Sequence, residues 1–556
     1  MDTGSNRHRQ GKLKGRELDE TALGDIQALL GHTPRRRDLL IEFLHALQDR
    51  FGCLHARHIK ALAQEMRLSE AEVYEVASFY HHFDLVREGT DAPAPVTIRV
   101  CDSVSCMMAG AEALLTALEQ GADPAAIRVL RAPCVGRCAE APVAVIGQNA
   151  IGHAGVEQVL AAARAGATTP ALPPARGLDE YRGDGGYDLL ARVRDGSVTA
   201  DHLITTLSDG GLRGLGGAGF PAGRKWSIVR AMPGGKLMSI NADEGEPGTF
   251  KDRVLLEADP HRVLEGALIA AHVVGAERIY LYLRDEYAGV RQILIREISA
   301  LAEAGLLSTP IELRRGAGAY ICGEESAMLE SIEGKRGLPR NRPPYIAEKG
   351  LFGRPTLNHN VETLFWLREI VEKGASWFAA QGLNGARGLR SYSVSGRVRR
   401  PGVKVVPAGI TLNQLITEHC GGMAEGHRLA GYLPGGASGG ILPAHLADEP
   451  LDFGRLDSHG SFVGSHAVVV FSDQDDPRAI ARNLMSFFAH ESCGQCTPCR
   501  IGTEKLHTLM QAPVWDAALM SEIEQVMRDA SICGLGQAAP NPMRAILRFF
   551  SHEESR

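Results

Sequence analysis

The hydrophobic pattern changes its period several times along the first 165 residues, and each change predicts a different element. Apolar residues recur at helical spacing between Leu39 and Phe51. A capping-box pattern at Ser69–Glu72 predicts the start of another helix. Alternation then replaces the helical period and predicts a small α/β domain after this helical cap. Its strands are expected at 96–100, 127–130 and 143–146, around a helix near 110–119.

The remaining chain divides by pattern and composition into further segments. Residues 166–204 are predicted to be a linker, because Ala, Pro, Gly and Thr dominate their first part. A larger α/β domain is expected over 205–385, a β-grasp-like module over 386–474 and a helical domain over 475–556. The polar, mixed-charge residues 1–20 are expected to form a disordered tail. The predicted fold class is therefore multidomain, α/β and α.

Composition and charge exclude several classes of protein. The chain is 44% hydrophobic and 23% charged, which is typical of a globular protein with an ample core. A net charge of −6 gives no sign of the excess of basic residues that is typical of nucleic-acid-binding proteins. The longest apolar run, Ala267–Ala276, is too short to span a bilayer, and no apolar stretch follows the basic N-terminus. We expect a cytoplasmic protein with neither a nucleic-acid nor a membrane partner.

Four cysteines near the C-terminus have the spacing of an iron–sulfur ligand set. Cys493, Cys496 and Cys499 follow a C-x2-C-x2-C pattern, and Cys533 stands alone further on. A compact loop can cover three iron corners of a cubane cluster, so a distant thiolate must supply the fourth. Four thiolates also suit zinc, but zinc sites more often use two C-x2-C pairs. The spacing favours a [4Fe–4S] cluster and leaves zinc as the alternative.

A second set of four cysteines lies in the small α/β domain. Cys101 and Cys106 form one pair and Cys134 and Cys138 the other, each just after a predicted strand. Two irons held by two thiolates each require this pairing, which favours a [2Fe–2S] cluster. A zinc ribbon is the alternative, although both spacings are wider than a zinc knuckle. Clustered thiols of this kind are expected to bind metal rather than to form disulfides.

Two glycine-rich loops and an acidic strand end are the candidate nucleotide site. The first loop, 214–226, has five glycines in its first ten residues, and Lys225 adds charge where bare backbone can approach a phosphate or flat ring. Asp243, Glu244 and Glu246 follow a predicted strand and would repel one another without a ligand. A solvated acidic turn is the alternative. The second loop, 315–326, follows a strand and enters a helix, where a phosphate can sit. Glu324 and Glu325 beside it would oppose an anion, so we expect them to reach sugar or base hydroxyls instead.

These motifs together resemble a known family over nearly the whole chain. Residues from about 205 to 556 resemble the flavin-containing, NADH-oxidising subunit of respiratory complex I and its relatives. Residues from about 35 to 165 resemble the thioredoxin-like [2Fe–2S] subunit of that complex, here fused to the other. The motifs that carry the resemblance are G-x-GGAGFP-x-G-x-KW at 214–226, N-A-D-E-x-E-P-G at 241–248, G-A-G-A-Y-I-C-G-E-E at 316–325 and E-S-C-G-x-C-x-P-C-R at 491–500.

Within this family, several stretches look most similar to the beta subunit of NAD-dependent, molybdenum- or tungsten-containing formate dehydrogenases. They are 36–51, 101–106, 210–217, 391–398, 432–443 and 472–476. The resemblance implies a diaphorase subunit that takes electrons from a metal-containing alpha subunit and reduces NAD+, or runs in reverse. An NAD-reducing hydrogenase or another complex I-like NADH dehydrogenase is the alternative context. A non-catalytic electron carrier or scaffold is the alternative of another class.

The resemblance also assigns residues to four cofactors: FMN, NAD(H), a [4Fe–4S] and a [2Fe–2S] cluster. It implies that FMN is held by Gly214, Gly216, Gly217, Lys225, Asn241, Asp243, Glu244, Gly323, Glu324 and Asn360. Phe220 is expected to stack on a base of the dinucleotide, with Glu246 and Glu325 close by. Phe220 and Glu246 are accordingly the predicted catalytic residues. Arg342 and Tyr345 would flank the adenine end.

Overall fold

A computed structural model describes residues 17–550 of the chain. Most of the predicted tail, 1–16, lies outside the described residues. Its final residue, Glu20, begins the first helix, where the Asp19 carboxylate accepts from the Thr21 amide at 2.9 Å. The chain separates into two compact units between Pro93 and Ala94. Within residues 17–550, no helix is long and apolar enough to cross a membrane.

The first unit is a small helical assembly. The capping box predicted at its last helix is present, since Ser69 and Glu72 exchange side-chain and backbone hydrogen bonds. Two very short strands pair in parallel. The elements are α1 (Glu20–Leu30), a 3-10 turn (Arg37–Leu39), α2 (Leu40–Phe51), β1 (Leu54–His55), α3 (Ala56–Met66), α4 (Glu70–Phe79) and β2 (Leu85–Val86).

The second unit begins with the small α/β domain predicted from the alternating pattern. Its four-stranded sheet has the order β4-β3-β5-β6, with β3 and β4 parallel and the other pairs antiparallel. The elements are β3 (Val96–Cys101), α5 (Val104–Met108), α6 (Ala111–Gly121), β4 (Ile127–Ala132), a 3-10 turn (Cys138–Glu140), β5 (Ala144–Ile146), β6 (Asn149–Ile151) and α7 (Val156–Arg164).

The linker predicted for 166–204 requires a correction. Helices α8 (Leu178–Gly183) and α9 (Asp188–Arg194) lie inside this range. Tyr181 belongs to the core of the next domain, and its hydroxyl donates to the buried Glu265 carboxylate at 2.6 Å. The glycines and charged residues between these apolar positions hide the helical pattern. The longest stretch of this range without helix or strand is 166–177.

The larger α/β domain is built on a parallel sheet of order β10-β7-β8-β9. Most residues of its strands are buried, as expected for a parallel sheet that is covered on its faces. The elements are α10 (Ala200–Gly210), α11 (Ala222–Ala231), β7 (Lys236–Ala242), α12 (Lys251–Ala258), α13 (Pro260–Val274), β8 (Ala276–Leu283), α14 (Ala288–Glu303), β9 (Ile311–Arg315), a 3-10 turn (Tyr320–Gly323), α15 (Glu325–Ile332), α16 (Ile346–Lys349), a 3-10 turn (Leu351–Gly353), β10 (Thr356–Asn360), α17 (Val361–Phe365), α18 (Leu367–Lys373) and α19 (Ala375–Ala379).

The module that follows contains a mixed five-stranded sheet of order β12-β11-β15-β13-β14. Only the β11–β15 pair is parallel. The elements are β11 (Leu389–Gly396), β12 (Gly402–Pro407), α20 (Leu412–Gln414), a π-helical turn (Leu415–His419), β13 (Leu429–Leu433), a 3-10 turn (Ala437–Gly439), β14 (Leu442–Pro443), 3-10 turns (Ala444–Leu446 and Asp457–His459) and β15 (Ala467–Ser472).

The C-terminal domain is helical, as the pattern predicts. Helix α21 ends immediately before the C-x2-C-x2-C segment, and Cys499 lies in the first turn of α22. Cys533 caps the short α24. The helices are α21 (Pro477–Glu491), α22 (Thr497–Leu509), α23 (Ala517–Ala530), α24 (Gly534–Ala538) and α25 (Asn541–Phe549).

We predict that Gly266→Ala destabilises the larger α/β domain by about 1–3 kcal/mol. Alanine normally stabilises a helix interior relative to glycine. In α13, however, a Cβ at position 266 would overlap the backbone carbonyl of Leu364. Thermal unfolding followed by tryptophan fluorescence measures the effect. The matched control is Gly183→Ala at the end of α8, where a Cβ meets open space. Equal midpoints for the two variants would contradict the prediction.

Candidate functional site

The carboxyl ends of the parallel strands of the larger domain form the candidate site. Asn241 near the end of β7 and Asn360 at the end of β10 are register partners on neighbouring strands. Strand β9 leads from Arg315 into the second glycine loop at the same edge. Ligands of open α/β sheets bind outside the carboxyl ends of the strands, so this edge is where the topology predicts a nucleotide.

Two adjoining cavities of about 650 and 830 Å³ open at this edge. They share lining residues, namely Gly216, Ala218, Asn241, Gly323, Glu324, Asn360, Gly534 and Gln537. Every residue that the sequence assigns to FMN or the dinucleotide lines one cavity or both. These residues are Gly214, Gly216, Gly217, Phe220, Lys225, Asn241, Asp243, Glu244, Glu246, Gly323, Glu324, Glu325, Arg342, Tyr345 and Asn360. Their individual contacts with a cofactor stay predictions.

The first glycine loop brings bare backbone against the strand end. A Cβ at Gly216 would lie 3.0 Å from the Asn360 Cβ, and Gly217 has a φ of 123°, which side chains rarely adopt. Leu215 anchors the loop, because its amide donates to the Thr363 hydroxyl at 2.9 Å. Glycine at these positions therefore fits a loop that packs closely against a ligand.

The acidic strand end contains an unsatisfied carboxylate oxygen. The Asn241 side chain fixes the turn. Its Nδ2 donates to the Gly323 carbonyl at 2.8 Å, and its Oδ1 accepts from the Asp243 backbone amide at 3.0 Å. Among the described residues, none hydrogen-bonds the buried Oδ2 of Asp243, and burial raises the pKa of this carboxyl well above its usual range. Such an atom requires a partner. A hydroxyl or N–H donor of a bound flavin would satisfy it.

The Glu244 carboxylate, in contrast, is hydrogen-bonded by neighbouring residues of the protein. Its carboxylate accepts from the backbone amides of Asp252 at 2.8 Å and Arg253 at 3.1 Å, and from the Tyr287 hydroxyl at 2.8 Å. Burial, together with the neighbouring Asp252, raises the pKa of Glu244 to about 7. These bonds fix the first turn of α12 beneath the cavity, so the side chain holds the wall in place.

Glu246 is held by two residues that sequence reasoning did not single out. The Tyr320 hydroxyl donates to Oε2, and the Ser438 amide donates to Oε1 at 2.7 Å. The Tyr320 ring also packs against Phe487 of α21 at 5.0 Å between centroids. Burial raises the pKa of Glu246. Tyr320 was visible in the motif G-A-G-A-Y, but its connection to Glu246 spans 74 residues and has no local signal.

Carboxylates occupy the helix start that follows the second glycine loop. The Glu324 carboxylate accepts from the amides of Ser326 at 3.0 Å and Ala327 at 2.9 Å, so it occupies the start of α15. Arg342 donates to Glu324 and pairs with Glu325 at 3.2 Å. The amides that a phosphate would use are therefore already capped, in line with the expectation that Glu324 and Glu325 oppose an anion here; their contacts with sugar or base hydroxyls stay a prediction.

The outer part of the larger cavity combines a cation with two exposed rings. Lys225 Nζ donates to the Asn358 carbonyl at 3.1 Å, and burial lowers the pKa of this lysine. An anionic ligand would offset the cost of burying its charge. Phe220 and Tyr345 are 37% and 55% exposed. Exposed aromatic faces beside a polar cavity suit a planar base.

His359 next to this lysine has a defined tautomer. The Trp226 indole can only donate, and its N–H lies 2.7 Å from His359 Nε2. The ring therefore accepts at Nε2 and carries its proton at Nδ1. Burial, with a contribution from Lys225, lowers the pKa of His359 well below its usual range, so the ring is neutral. It lines the larger cavity as a neutral side chain.

The first cysteine set converges in a buried position. The Sγ atoms of Cys134 and Cys138 are 3.3 Å apart, and the Cys101 thiol contacts those of Cys106 and Cys134. Contacts with Cys101 and Cys138 lower the pKa of Cys134, whereas contacts with Cys106 and Cys134 raise that of Cys101. Four buried thiols this close fit a cluster whose irons would replace their protons.

The second cysteine set also converges, directly beside the cavities. Cys493, Cys496, Cys499 and Cys533 line one small space, and Cys533 also borders the larger cavity. Burial raises the pKa of Cys499 to about 11 and that of Cys533 to about 12. Thiols that are this reluctant to ionise need a metal to become thiolates. The geometry fits a four-thiolate cluster that directly borders the nucleotide site.

Comparison with known families assigns a cofactor to each of these sites. Residues 207–369 match the "Nuo51 FMN-binding domain", and 26–165 match the "Thioredoxin-like [2Fe-2S] ferredoxin". Residues 391–442 match the "SLBB domain", and 479–556 match the "NADH-ubiquinone oxidoreductase-F iron-sulfur binding region". The predicted set of FMN, NAD(H), [2Fe–2S] and [4Fe–4S] is confirmed, as is the predicted multidomain fold in outline.

Relatives and solved structures agree with this assignment. The chain is 40% identical over 398 residues to an NADH-quinone oxidoreductase F subunit of Rhizobium meliloti (strain 1021), and the match covers 69% of the chain and 94% of the relative. It is 37% identical to the NADH-quinone oxidoreductase F subunit of Aquifex aeolicus (strain VF5), covering 68% and 91%.

The air-oxidised NAD+-reducing [NiFe]-hydrogenase contains a chain of similar structure, with a TM-score of 0.81 and 32% identity over 94% of both chains. The present chain belongs to the family of the FMN-binding F subunits of NADH-quinone oxidoreductase, fused to a thioredoxin-like [2Fe–2S] ferredoxin domain.

Proposed function

We propose that the chain is the diaphorase subunit of an NAD-linked oxidoreductase, exchanging electrons between NAD(H) and a partner subunit. The observation that carries the proposal is the adjacency of the double cavity and the second thiol set, which share Cys533 as a border. When bound, FMN supplies two-electron exchange with nicotinamide and one-electron exchange with iron–sulfur clusters. A flavin bound in the cavities would therefore lie next to a cluster held by these thiols.

Different side chains of the site hold different parts of the two nucleotides. Lys225 places a cation in the larger cavity for a phosphate, and Asp243 offers its unsatisfied oxygen to a flavin donor. Phe220 supplies a flat apolar face on which a base of the dinucleotide stacks. Glu246, fixed by Tyr320 and Ser438, limits how the dinucleotide can enter the smaller cavity. Together these contacts orient nicotinamide toward the flavin.

We further propose a formate dehydrogenase as the partner, with a molybdenum- or tungsten-containing alpha subunit as the electron donor. The sequence stretches similar to the formate enzymes, such as Tyr432–Pro443, support this partner. An NAD-reducing hydrogenase is the second candidate, favoured by the similarity to that enzyme over 94% of the chain. A cytoplasmic location is part of the proposal, because clustered metal-binding thiols are typical of reducing compartments.

We predict that Lys225→Gln raises the dissociation constant of FMN about 10- to 150-fold, because a charged hydrogen bond to phosphate contributes about 1.5–3 kcal/mol. Titration of the flavin-free protein with FMN, followed by quenching of flavin fluorescence, measures the change. Lys373→Gln is the control, since that ammonium pairs with Glu369 on the surface of α18. An unchanged constant for Lys225→Gln would remove this lysine from the flavin site.

We predict that the purified chain shows flavin and iron–sulfur absorbance under anaerobic conditions and that NADH bleaches both. This outcome requires an intact route from the dinucleotide cavity to the clusters. A protein that contains iron and FMN but does not respond to NADH would contradict the proposal and favour a carrier or scaffold without catalysis. The matched variant is Phe220→Ala, for which we expect full cofactor content and a higher KM for NADH.

We predict that the complex isolated through this chain reduces NAD+ with formate and contains molybdenum or tungsten. Metal analysis of the complex, with parallel assays using formate and hydrogen as donors, tests the partner. Nickel together with hydrogen-dependent NADH formation would reject the formate partner and establish the hydrogenase. The diaphorase activity of the chain itself is measured separately with NADH and an artificial acceptor, so failure of the partner proposal leaves the diaphorase proposal distinguishable.

A further inference from the structure

Two buried arginines of the flavin-binding domain hold the Cys134–Cys138 loop of the ferredoxin domain. Arg284 Nη2 donates to the Cys134 carbonyl at 2.7 Å, and Arg253 Nε donates to the Gly136 carbonyl at 2.9 Å. Their exposed fractions are only 5% and 6%. Both donors thus reach the backbone of one thiol pair from another domain, in a position shielded from water.

Arg284 also belongs to the wall of the flavin cavity. Its Nη1 donates to the Glu244 carbonyl, and Glu244 lines the smaller cavity. The Tyr287 ring lies beside the guanidinium, at 5.1 Å from its centroid, and the Tyr287 hydroxyl donates to Glu244 at 2.8 Å. One guanidinium therefore joins a carbonyl of the thiol loop to a carbonyl of the cavity wall.

The Cys134–Cys138 loop packs closely against residues of the flavin-binding domain. Gly136 has a φ of 70°, and a Cβ there would overlap the Tyr287 ring and hydroxyl. Phe250, which follows the acidic strand end, packs with Cys134 and Cys138 in one apolar cluster. The loop is thus packed against the same segment, Glu244–Phe250, that forms the cavity wall.

The position of Arg284 has a consequence for a cluster at these thiols. A cluster held by four thiolates is anionic and gains a further negative charge when it is reduced. Hydrogen bonds, nearby charge and exclusion of solvent set the reduction potential of such clusters. Arg284 pairs with Glu286 at 2.8 Å, which partly offsets its charge, but its N–H group still points at the Cys134 peptide. The guanidinium favours the reduced cluster.

We propose that Arg284 is a positioning residue that joins the [2Fe–2S] ligand loop to the flavin cavity wall and raises the reduction potential of that cluster. The inference rests on the proposed ligand set Cys101, Cys106, Cys134 and Cys138. Arg284 does not line the space around the second cysteine set, so its effect on the [2Fe–2S] cluster is expected to exceed its effect on the [4Fe–4S] cluster. The [2Fe–2S] cluster would accordingly be reduced more readily in the full chain than in the ferredoxin domain alone.

The test is an anaerobic redox titration of the full chain, with the two clusters followed separately by EPR. We expect Arg284→Gln to lower the one-electron reduction equilibrium constant of the [2Fe–2S] cluster at least tenfold, which corresponds to about 59 mV. The [4Fe–4S] cluster should keep its potential. Arg284→Lys, which retains the charge, should recover part of the shift.

The matched control is Arg291→Gln. Arg291 also bridges these domains, donating to the Gln148 side-chain oxygen at 3.3 Å. Gln148 follows the end of β5 that pairs with the start of β3, at the opposite end of that strand from Cys101. We expect both potentials to stay unchanged in this variant. Iron, sulfide and FMN contents accompany each titration, because a merely structural role would reduce occupancy without moving the potential of the clusters that remain.

Three outcomes with the Arg284 variants overturn the inference. An unshifted [2Fe–2S] potential in fully loaded Arg284→Gln is the first, and equal shifts of both clusters are the second. If Arg284→Gln does not assemble, Arg284→Lys is titrated in its place, and an unshifted potential there is the third. A wild-type chain without a [2Fe–2S] signal would instead disprove the ligand assignment itself, and the inference with it.

Discussion

A buried ammonium group stabilises the junction on which the flavin site is built. Lys251 is 1% exposed and contacts Asp252 at 2.7 Å, Glu362 at 3.2 Å and Asn360 at 3.3 Å. Burial opposes its charge, but the surrounding carboxylates outweigh that cost and raise its pKa. Glu362 in turn accepts from the Ser391 amide of β11 at 2.7 Å. Removing one partner of such a cluster typically costs about 3–5 kcal/mol, because a charge is left buried alone.

The cavity walls are held by contacts within the protein, whereas some groups in the cavity interior are not satisfied. Lys251, Glu244 and Glu324 all have protein partners, and each fixes a strand end or a helix start. Asp243 and the two cysteine sets have the opposite character, with an unpaired oxygen and thiols held close together. Among the described residues that line the cavities, the buried side-chain atom left unsatisfied is therefore one that a cofactor can complete.

Much of this site could be predicted from the sequence because its signals are local. The cysteine spacings and the motif Asn241–Gly248 each lie within a few residues, and the strand ends place them at one edge. The links between distant segments had no such signal. Ser438 reaches Glu246 across 192 residues, and Arg284 reaches Cys134 across 150. The helices α8 and α9 were missed because turn-forming residues mask their few apolar positions.

The segment from Cys533 to Gln537 belongs both to the second cysteine set and to the lining of the two cavities. It provides a thiol to the second cysteine set, and Gly534 and Gln537 line both cavities. A side chain at Gly536 would collide with Ser531 and lie 2.8 Å from the Cys499 Cβ, so the segment must pass close to the other thiols. Damage by oxygen to a cluster at these thiols would therefore loosen the nucleotide cavity as well.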